Sequence, residues 1–317
     1  MKNILIIIKL DYVKKQPSDN RLNFLNYLSK KKNIKLMNDT NKITIKKWIS
    51  STKKRVNWEP DIVIYYFLSS HQVWTNVSVV DLINYSGKKY MIFEDHHYHQ
   101  VAIPLFKKYK FQKLIKPSRE IKSEIQYKKN NVPFETWGFF FNTDNFKIRD
   151  TKYKYHILLY GFIHPQVYPL RKKYYEVLKY IQNKYPQIKI KIIEHPGYNN
   201  NDYNKIPKNA ELSEIIGQSR FTFVSSSIWR MLLKKYYEVP LSGSTIIGDM
   251  PQCANNLQDK MIQLDFNSSH QNILNVLNDA INNKFIDIEN KSRQWASDLS
   301  NKVNFEAGYV KLCDICK

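Results

Sequence analysis

The segment 225–249 carries charged side chains at a spacing suited to binding a nucleotide sugar. A helix predicted over 231–239 holds Lys234, Lys235 and Glu238. Lys235 and Glu238 are three positions apart, so they share one face of that helix. A cation on this face can bind a diphosphate, and a carboxylate can accept hydrogen bonds from both ribose hydroxyls. An ordinary ion pair between the two side chains is the alternative that the spacing alone leaves open.

Small hydroxyl residues and a glycine flank this predicted helix. Ser226 and Ser227 follow the apolar run before it, and the turn after it reads Ser242, Gly243, Ser244. A turn of such small residues would let backbone N–H groups approach a phosphate closely. The turn is therefore a second candidate for donor binding, with a plain helix-to-strand connection as its alternative.

A cluster of acids and histidines at 94–99 is the best candidate site in the first half of the chain. It directly follows a predicted strand over 89–93, and its residues Asp95, His96 and His97 lie nearest to the strand end. A histidine or carboxylate in a cleft can deprotonate an acceptor hydroxyl near neutral pH. Two further interpretations remain open, a divalent metal site and a structural loop.

Strand-like apolar runs alternate with longer amphipathic stretches along the chain, which predicts an α/β fold with parallel sheets. The polar stretch 142–154 interrupts this alternation, so we expect one domain over 1–150 and a second over 151–317. One continuous sheet through the whole chain is the alternative. In such sheets, ligands bind at the carboxyl ends of the strands. Gly161, which ends a predicted strand, and the loop that follows it up to Arg171 are therefore candidate site residues.

The net charge of +22 is concentrated in the first half, since 1–150 holds +15 of it. A basic surface attracts nucleic acid, anionic lipid or acidic glycans, although a lysine-rich solubilising surface would look the same. The segment 104–116 interleaves aromatic residues with lysines, a pattern found at bilayer interfaces and on phosphate backbones. A nucleic-acid-binding or DNA-modifying protein is a competing interpretation, but no helix-turn-helix, zinc or RNA-recognition pattern supports it.

The expected location is the cytoplasm, with peripheral membrane contact through 104–116 left open. The sequence shows neither an apolar run long enough to span a bilayer nor a secretory signal. Its cysteines, Cys253, Cys313 and Cys316, do not form a disulfide framework, and one CxxC pair is too few ligands for structural zinc.

The residues at 235–249, KYYEVPLSGSTIIGD, resemble the nucleotide-sugar-binding segment of GT-B glycosyltransferases, specifically the CgeB-like group. Gly161 and the later YPLR at 168–171 are similar to the opening of the second domain in that group. The stretch 132–145 looks like the segment that precedes its interdomain linker. The resemblance extends over roughly 155–250. Before residue 130 it concerns only the architecture.

This resemblance implies two Rossmann-like domains that face each other across a cleft, with the donor held by the second. Glu238 would hold the donor ribose, Lys234 or Lys235 the diphosphate, and the turn 242–244 would supply backbone N–H groups. The resemblance also implies a glycan or lipid-linked acceptor and no cofactor or catalytic metal. One departure is Arg230, since many retaining members have a carboxylate eight positions before the ribose-binding one. This departure leaves the stereochemistry and the sugar open, and it makes an inactive scaffold a third interpretation.

The pair His195-Pro196 follows another predicted strand. Together with the serines at 225–227, it resembles elements of bacterial sialyltransferases, where they bind a CMP-linked donor. His195 is therefore a candidate donor-binding residue, and a CMP-sugar is the lesser alternative for the donor. A plain loop proline with a neighbouring ring is the structural alternative.

Overall fold

The computed structural model describes residues 1–9, 19–39, 44–67, 81–195 and 207–317. Contacts divide the chain into two compact units, Met1–Phe141 with Phe305–Lys317, and Asn142–Asn304. Each unit contains one parallel sheet covered by helices. The predicted α/β class with two Rossmann-like domains is confirmed.

The first unit is built on a six-stranded parallel sheet in the order β2-β1-β3-β4-β5-β6. Its elements in chain order are β1 (Ile4–Ile8), α1 (Asp19–Ser29), β2 (Ile34–Asn38), α2 (Ile45–Val56), β3 (Ile62–Phe67), β4 (Lys88–Phe93), α3 (His99–Lys108), β5 (Lys113–Lys116), α4 (Ile121–Lys129) and β6 (Phe134–Thr136). The helix predicted over 74–85 lies mostly outside the described residues.

Strand β1 shows why the apolar runs in this sequence become central strands. All five of its residues are buried, and alternate side chains enter different cores. Ile4, Ile6 and Ile8 belong to the core that also contains residues of α1, whereas Leu5 and Ile7 belong to the core on the opposite face. A strand covered on both faces has a continuous apolar sequence because the side chains on both faces are buried.

The second unit has a five-stranded parallel sheet in the order β11-β10-β9-β7-β8. Its elements are β7 (Tyr155–Gly161), α5 (Pro169–Lys184), β8 (Ile190–Glu194), α6 (Asn209–Gly217), β9 (Ser219–Val224), α7 (Lys235–Leu241), β10 (Thr245–Gly248), β11 (Ile262–Gln263), α8 (His270–Ile281) and α9 (Ile286–Val303). The helix predicted over 231–239 thus begins four residues later, at Lys235.

The last helix, α10 (Phe305–Ile315), belongs to the first unit, although the sequence pattern places all of 151–317 in one domain. Tyr309 and Leu312 join the core on the α1 face of the first sheet. The indole of Trp137 donates a hydrogen bond to the backbone oxygen of Gly308 over 2.9 Å. Burial of this apolar helix face therefore decides where the C-terminus lies, and local sequence periodicity does not report it.

Candidate functional site

The carboxyl end of β7 gathers the charged residues predicted to bind a donor. Lys235, the first residue of α7, donates a hydrogen bond to the backbone oxygen of Tyr160, and its amine lies 3.9 Å from the centroid of that tyrosine ring. The next residue, Gly161, has a φ of +100°, and a β-carbon there would overlap the Lys235 amine. The glycine is therefore needed for the close approach of the lysine, as well as for its backbone conformation.

Glu238 faces the same strand end one helical turn after Lys235. Its carboxylate accepts a hydrogen bond from the Tyr160 hydroxyl over 3.0 Å. Burial raises the pKa of Glu238, while Lys234 and Lys235 act in the opposite direction. Burial and the neighbouring Arg171 hold the pKa of Lys235 well below its usual value. Both side chains are half-buried.

Arg171 connects two loops at this edge of the sheet. Proline at the first position of α5 starts the helix, and Arg171 follows two residues later. Its guanidinium donates to the backbone oxygens of Phe162 at 2.9 Å and Ser225 at 3.1 Å, and it stacks 3.9 Å from the Tyr168 ring centroid. Because Arg171 is buried and donates to two carbonyls, it holds the loops after β7 and β9 together.

His195 lies beside these cations. Burial lowers its pKa, and Lys235 and Arg171 lower it further, which keeps the ring neutral near pH 7. Its ring is 5.6 Å from that of Phe162, which in turn is 5.4 Å from His164. Phe162 and His164 belong to the loop from Gly161 to Arg171 that the sequence predicts as a candidate site, although the sequence gave no reason to single out either ring. Pro196, which follows His195, lies outside the described residues.

The serines after β9 connect the carboxyl end of β9 with that of β10. The backbone N–H of Ser226 donates to Asp249 over 2.9 Å, and its hydroxyl donates to the other carboxylate oxygen. Burial raises the pKa of Asp249, whereas the bonds from Ser226 lower it. The hydroxyls of Ser225 and Ser227 are buried and have no hydrogen-bond partner among the described residues. Ser226 therefore has a structural partner, while its neighbour Ser227 keeps an unused hydroxyl.

The structure corrects the prediction for Ser242, Gly243 and Ser244. Their backbone N–H groups donate to carbonyls of α7 itself, namely those of residues 238–240. The turn precedes β10, so it lies at the amino edge of the sheet, opposite the end where Lys235 and Glu238 meet Tyr160. A helix-to-strand connection must return the chain to the start of the next parallel strand, which removes this turn from the ligand-binding edge.

In the first unit, the three candidate bases differ in accessibility. His96 is fully buried, with Nδ1 3.0 Å from the Glu94 backbone oxygen and Nε2 3.4 Å from the Ser118 hydroxyl. Burial lowers the pKa of His97, although Asp95 and Glu120 oppose this effect. His96 is therefore placed as a structural side chain, whereas Asp95 and His97 are partly exposed and stay candidates.

Glu94, the first residue of this cluster, is part of an ion pair that the sequence did not predict. The guanidinium of Arg21 donates to both carboxylate oxygens of Glu94, at 2.6 Å through Nε, and the Tyr66 hydroxyl donates to the same carboxylate over 2.5 Å. Glu94 directly follows β4 and Tyr66 is near the end of β3. The position of Glu94 directly after a strand could be recognised from the sequence. Its pairing with Arg21 could not, because Arg21 is distant in the chain.

Two of the three aromatic residues of 104–116 are buried, so they do not form a surface with its lysines. Phe106 and Phe111 pack in the core, and Lys116 is fully buried in an ion pair with Glu124 at 2.7 Å. Lys107, Lys108 and Lys110 are the exposed charges, with partly exposed Leu105 and Tyr109 beside them. Membrane contact through this segment stays a prediction that would depend mainly on charge. None of the helices in the described ranges combines the length and apolar character of a membrane span.

Metal binding receives no support from side-chain placement. Within the described parts of the chain, no three histidine, cysteine, aspartate or glutamate side chains come together as a ligand set. Cys313 and Cys316 are both free thiols, and burial raises the pKa of Cys316 to about 12, which disfavours the thiolate that a metal would need.

Comparison with solved structures finds matches whose coverage includes both units. HepE from Anabaena, solved with UDP and glucose, aligns with a TM-score of 0.64 at 9% identity, over 100% of this chain and 99% of that chain. The chain has the GT-B fold. Sucrose-phosphate synthase from Thermosynechococcus elongatus aligns with a TM-score of 0.59 at 9% identity, over 99% of this chain and 98% of that one.

A further match is partial, and sequence comparisons add none. The GtfA/B complex aligns with a TM-score of 0.52 at 11% identity over 84% of this chain, which spans 58% of that chain. No protein-family model matches the sequence, and no curated protein matches it. The likeness therefore concerns the fold, and activity must be argued from the residues.

Proposed function

We propose that this chain is a glycosyltransferase that moves a sugar from a nucleotide-sugar donor to an acceptor hydroxyl. The observation that carries the proposal is the meeting of Lys235 and Glu238 at Tyr160, beside Arg171 and His195. A cluster of cations with one carboxylate at the carboxyl edge of a parallel sheet suits a ligand that has both a diphosphate and a ribose. Because HepE was solved with UDP and glucose, uridine nucleotides are the first donors to test.

Each residue has a chemical role in this proposal. Glu238, oriented by the Tyr160 hydroxyl, would accept hydrogen bonds from the ribose hydroxyls. Lys235, together with Lys234, would stabilise the negative charge that grows on the leaving diphosphate, a charge that a divalent metal would otherwise balance. Arg171 would be a positioning residue, since it holds the loops after β7 and β9 in place around the donor.

Asp95 or His97 of the first unit would remove the proton from the acceptor hydroxyl. A lowered histidine pKa suits this role because the ring is then unprotonated at neutral pH and can accept a proton. The acceptor class that we propose is a glycan or a lipid-linked sugar. Cytoplasmic location, with charge-driven contact between the exposed lysines at 107–110 and an anionic membrane, belongs to the same proposal.

A donor screen tests the proposal directly. The screen compares UDP-, GDP- and CMP-sugars. The sugar that is the donor, at about 100 times its dissociation constant, should stabilise the protein by ~2.7 kcal/mol, a shift of roughly 5 to 10 °C in Tm. Slow hydrolysis of the same donor should accompany that shift. If no donor in the three nucleotide classes either raises Tm or is hydrolysed, the proposal is wrong.

Two variants separate a donor site from a structural ion pair. Glu238→Ala should weaken nucleotide binding by about 1.5–3 kcal/mol, the range for hydrogen bonds to charged groups. Glu211→Ala is the matched control, because Glu211 is an exposed glutamate on α6 of the same unit. Loss of stability in Glu238→Ala with unchanged nucleotide affinity would mean that the carboxylate is structural.

A further inference from the structure

Arg230 is a charged residue at the ligand-binding edge whose role the proposed function leaves open. It follows β9 and precedes α7, in a left-handed backbone conformation with φ of +53°. Its backbone N–H donates to the Ser227 oxygen over 2.8 Å, and its own backbone oxygen accepts from Gln252 over 3.0 Å. A non-glycine residue in this conformation costs free energy, so the surrounding contacts hold Arg230 in place.

The guanidinium of Arg230 is held between β10 and the segment after β11. One terminal nitrogen, Nη2, donates to the Met250 backbone oxygen over 3.0 Å, and the group lies 4.6 Å from the Phe266 ring centroid. Its side chain remains 31% exposed. The cation is therefore positioned before any ligand arrives, which lowers the entropic cost of binding.

Asp249 forms an ion pair with this arginine through Nε, but it does not engage the terminal nitrogens of the guanidinium. Both oxygens of that carboxylate already accept hydrogen bonds from Ser226. The nearest approach of Arg230 is 3.6 Å through Nε, which is outside hydrogen-bond range, and Nε has no acceptor among the described residues. Within the described parts of the chain, Nη1 makes no hydrogen bond, so the donors that a ligand could reach are on the terminal nitrogens and not on the buried Nε.

Two other cations at this edge, Lys235 and Arg171, lie toward the end of β7. Lys235 donates to Tyr160 at the end of β7, and Arg171 donates to the two carbonyls named above. The guanidinium of Arg230 contacts Met250, which follows β10, and β10 is two strands from β7 in the sheet order, a strand separation of about 10 Å. A donor with its ribose at Glu238 and its diphosphate at Lys235 would extend beyond both groups with its sugar.

We propose that Arg230 binds a carboxylate on the donor sugar, so that the donor is an acidic nucleotide sugar. This inference rests on the proposed function, because it takes the ribose and diphosphate positions from it. A guanidinium matches a carboxylate with two parallel N–H···O bonds, whereas it gains much less from a neutral hydroxymethyl group. Arg230 is thus a specificity-determining residue.

Calorimetric binding to the full chain tests this with donor pairs that differ at one carbon. UDP-glucose is compared with UDP-glucuronate, and GDP-mannose with GDP-mannuronate. For the cytidine class, CMP-sialic acid is compared with its methyl ester, in which the carboxylate is neutral. The acidic sugar should bind about tenfold tighter than its neutral counterpart in the class that binds. Equal affinities within that class overturn the inference and leave the proposed function standing, whereas no binding in any class overturns both.

Variants show whether Arg230 is the cause of such a preference. Arg230→Gln should bring the affinity ratio to about one while the affinity for UDP, GDP or CMP alone changes less than about twofold, and Arg230→Lys should keep part of the preference. An equal loss for the bare nucleotide would mean that Arg230 binds phosphate, which overturns the inference. If Arg230→Gln does not fold, the Arg230→Lys ratio decides: a ratio equal to that of the unsubstituted chain counts against the inference.

Discussion

The hydroxyl of Tyr160 donates a hydrogen bond to Glu238 over 3.0 Å, although the two residues are 78 positions apart in the chain. Tyr160 is the last but one residue of β7 and Glu238 lies in the first turn of α7. The backbone oxygen of the same tyrosine accepts a hydrogen bond from Lys235. One strand end therefore positions both the carboxylate and the cation of the proposed donor site.

Replacement of Tyr160 by phenylalanine should weaken nucleotide binding without unfolding the protein. The variant removes the hydroxyl that orients Glu238 but keeps the ring that lies in the core, so a loss of about 1 kcal/mol, or roughly fivefold in affinity, is expected. Calorimetric titration with the nucleotide found in the donor screen measures it. Tyr180→Phe, at an exposed position on α5, is the control and should have no effect. Unchanged affinity in Tyr160→Phe would show that Glu238 needs no such orientation.

Replacement of Gly161 by alanine should reduce both stability and nucleotide affinity. A β-carbon at a φ of +100° costs about 1–3 kcal/mol in backbone strain, and it would also displace the Lys235 amine. Denaturant unfolding and nucleotide titration measure the two effects. In the double variant with Lys235→Ala, the combined loss of nucleotide affinity should be smaller than the sum of the single losses. Additive losses would mean that the close approach of the lysine is not the cause.

Nucleotide affinity should fall as pH rises, and earlier than for an ordinary lysine site. Burial and Arg171 hold the pKa of Lys235 well below 10.5, so its amine loses its proton at a lower pH than a free lysine would. A diphosphate binds the charged form, and affinity is therefore present below that lowered pKa and lost as pH rises through it. Lys235→Arg keeps its charge at alkaline pH and should flatten the profile from pH 7 to 10. The same slope in both proteins would contradict the role of Lys235.

Replacement of Ser244 by alanine should affect stability alone. Its buried hydroxyl lies 2.8 Å from the Thr222 hydroxyl, so the variant leaves a buried polar group with one partner fewer and should cost about 1–2 kcal/mol. Nucleotide affinity should not change, since the turn 242–244 lies at the amino edge of the sheet. Thermal unfolding and calorimetric titration of the variant provide the two measurements. A loss of affinity with unchanged stability would restore the phosphate-binding turn predicted from the sequence.

Much of this protein is determined locally by its sequence. Buried parallel strands such as β1, β3 and β7 have near-continuous apolar runs because both of their faces are covered, and such runs can be recognised without a structure. The rule that ligands bind after strands selected Gly161, His195 and Ser226 for the same reason, and the structure brings all three to one sheet edge. The spacing of Lys235 and Glu238 on one helix face is likewise a local property.

Tertiary structure alone decided the remainder. The tyrosine hydroxyl at Glu238, the pairing of Arg21 with Glu94 and the return of α10 to the first unit depend on contacts between residues 73 or more positions apart. Sequence patterns also did not separate the edge that carries Lys235 from the edge that carries Ser244, since both segments consist of polar residues next to a strand. The direction of the chain through the sheet separates them, and hydrophobic burial over the whole unit sets that direction.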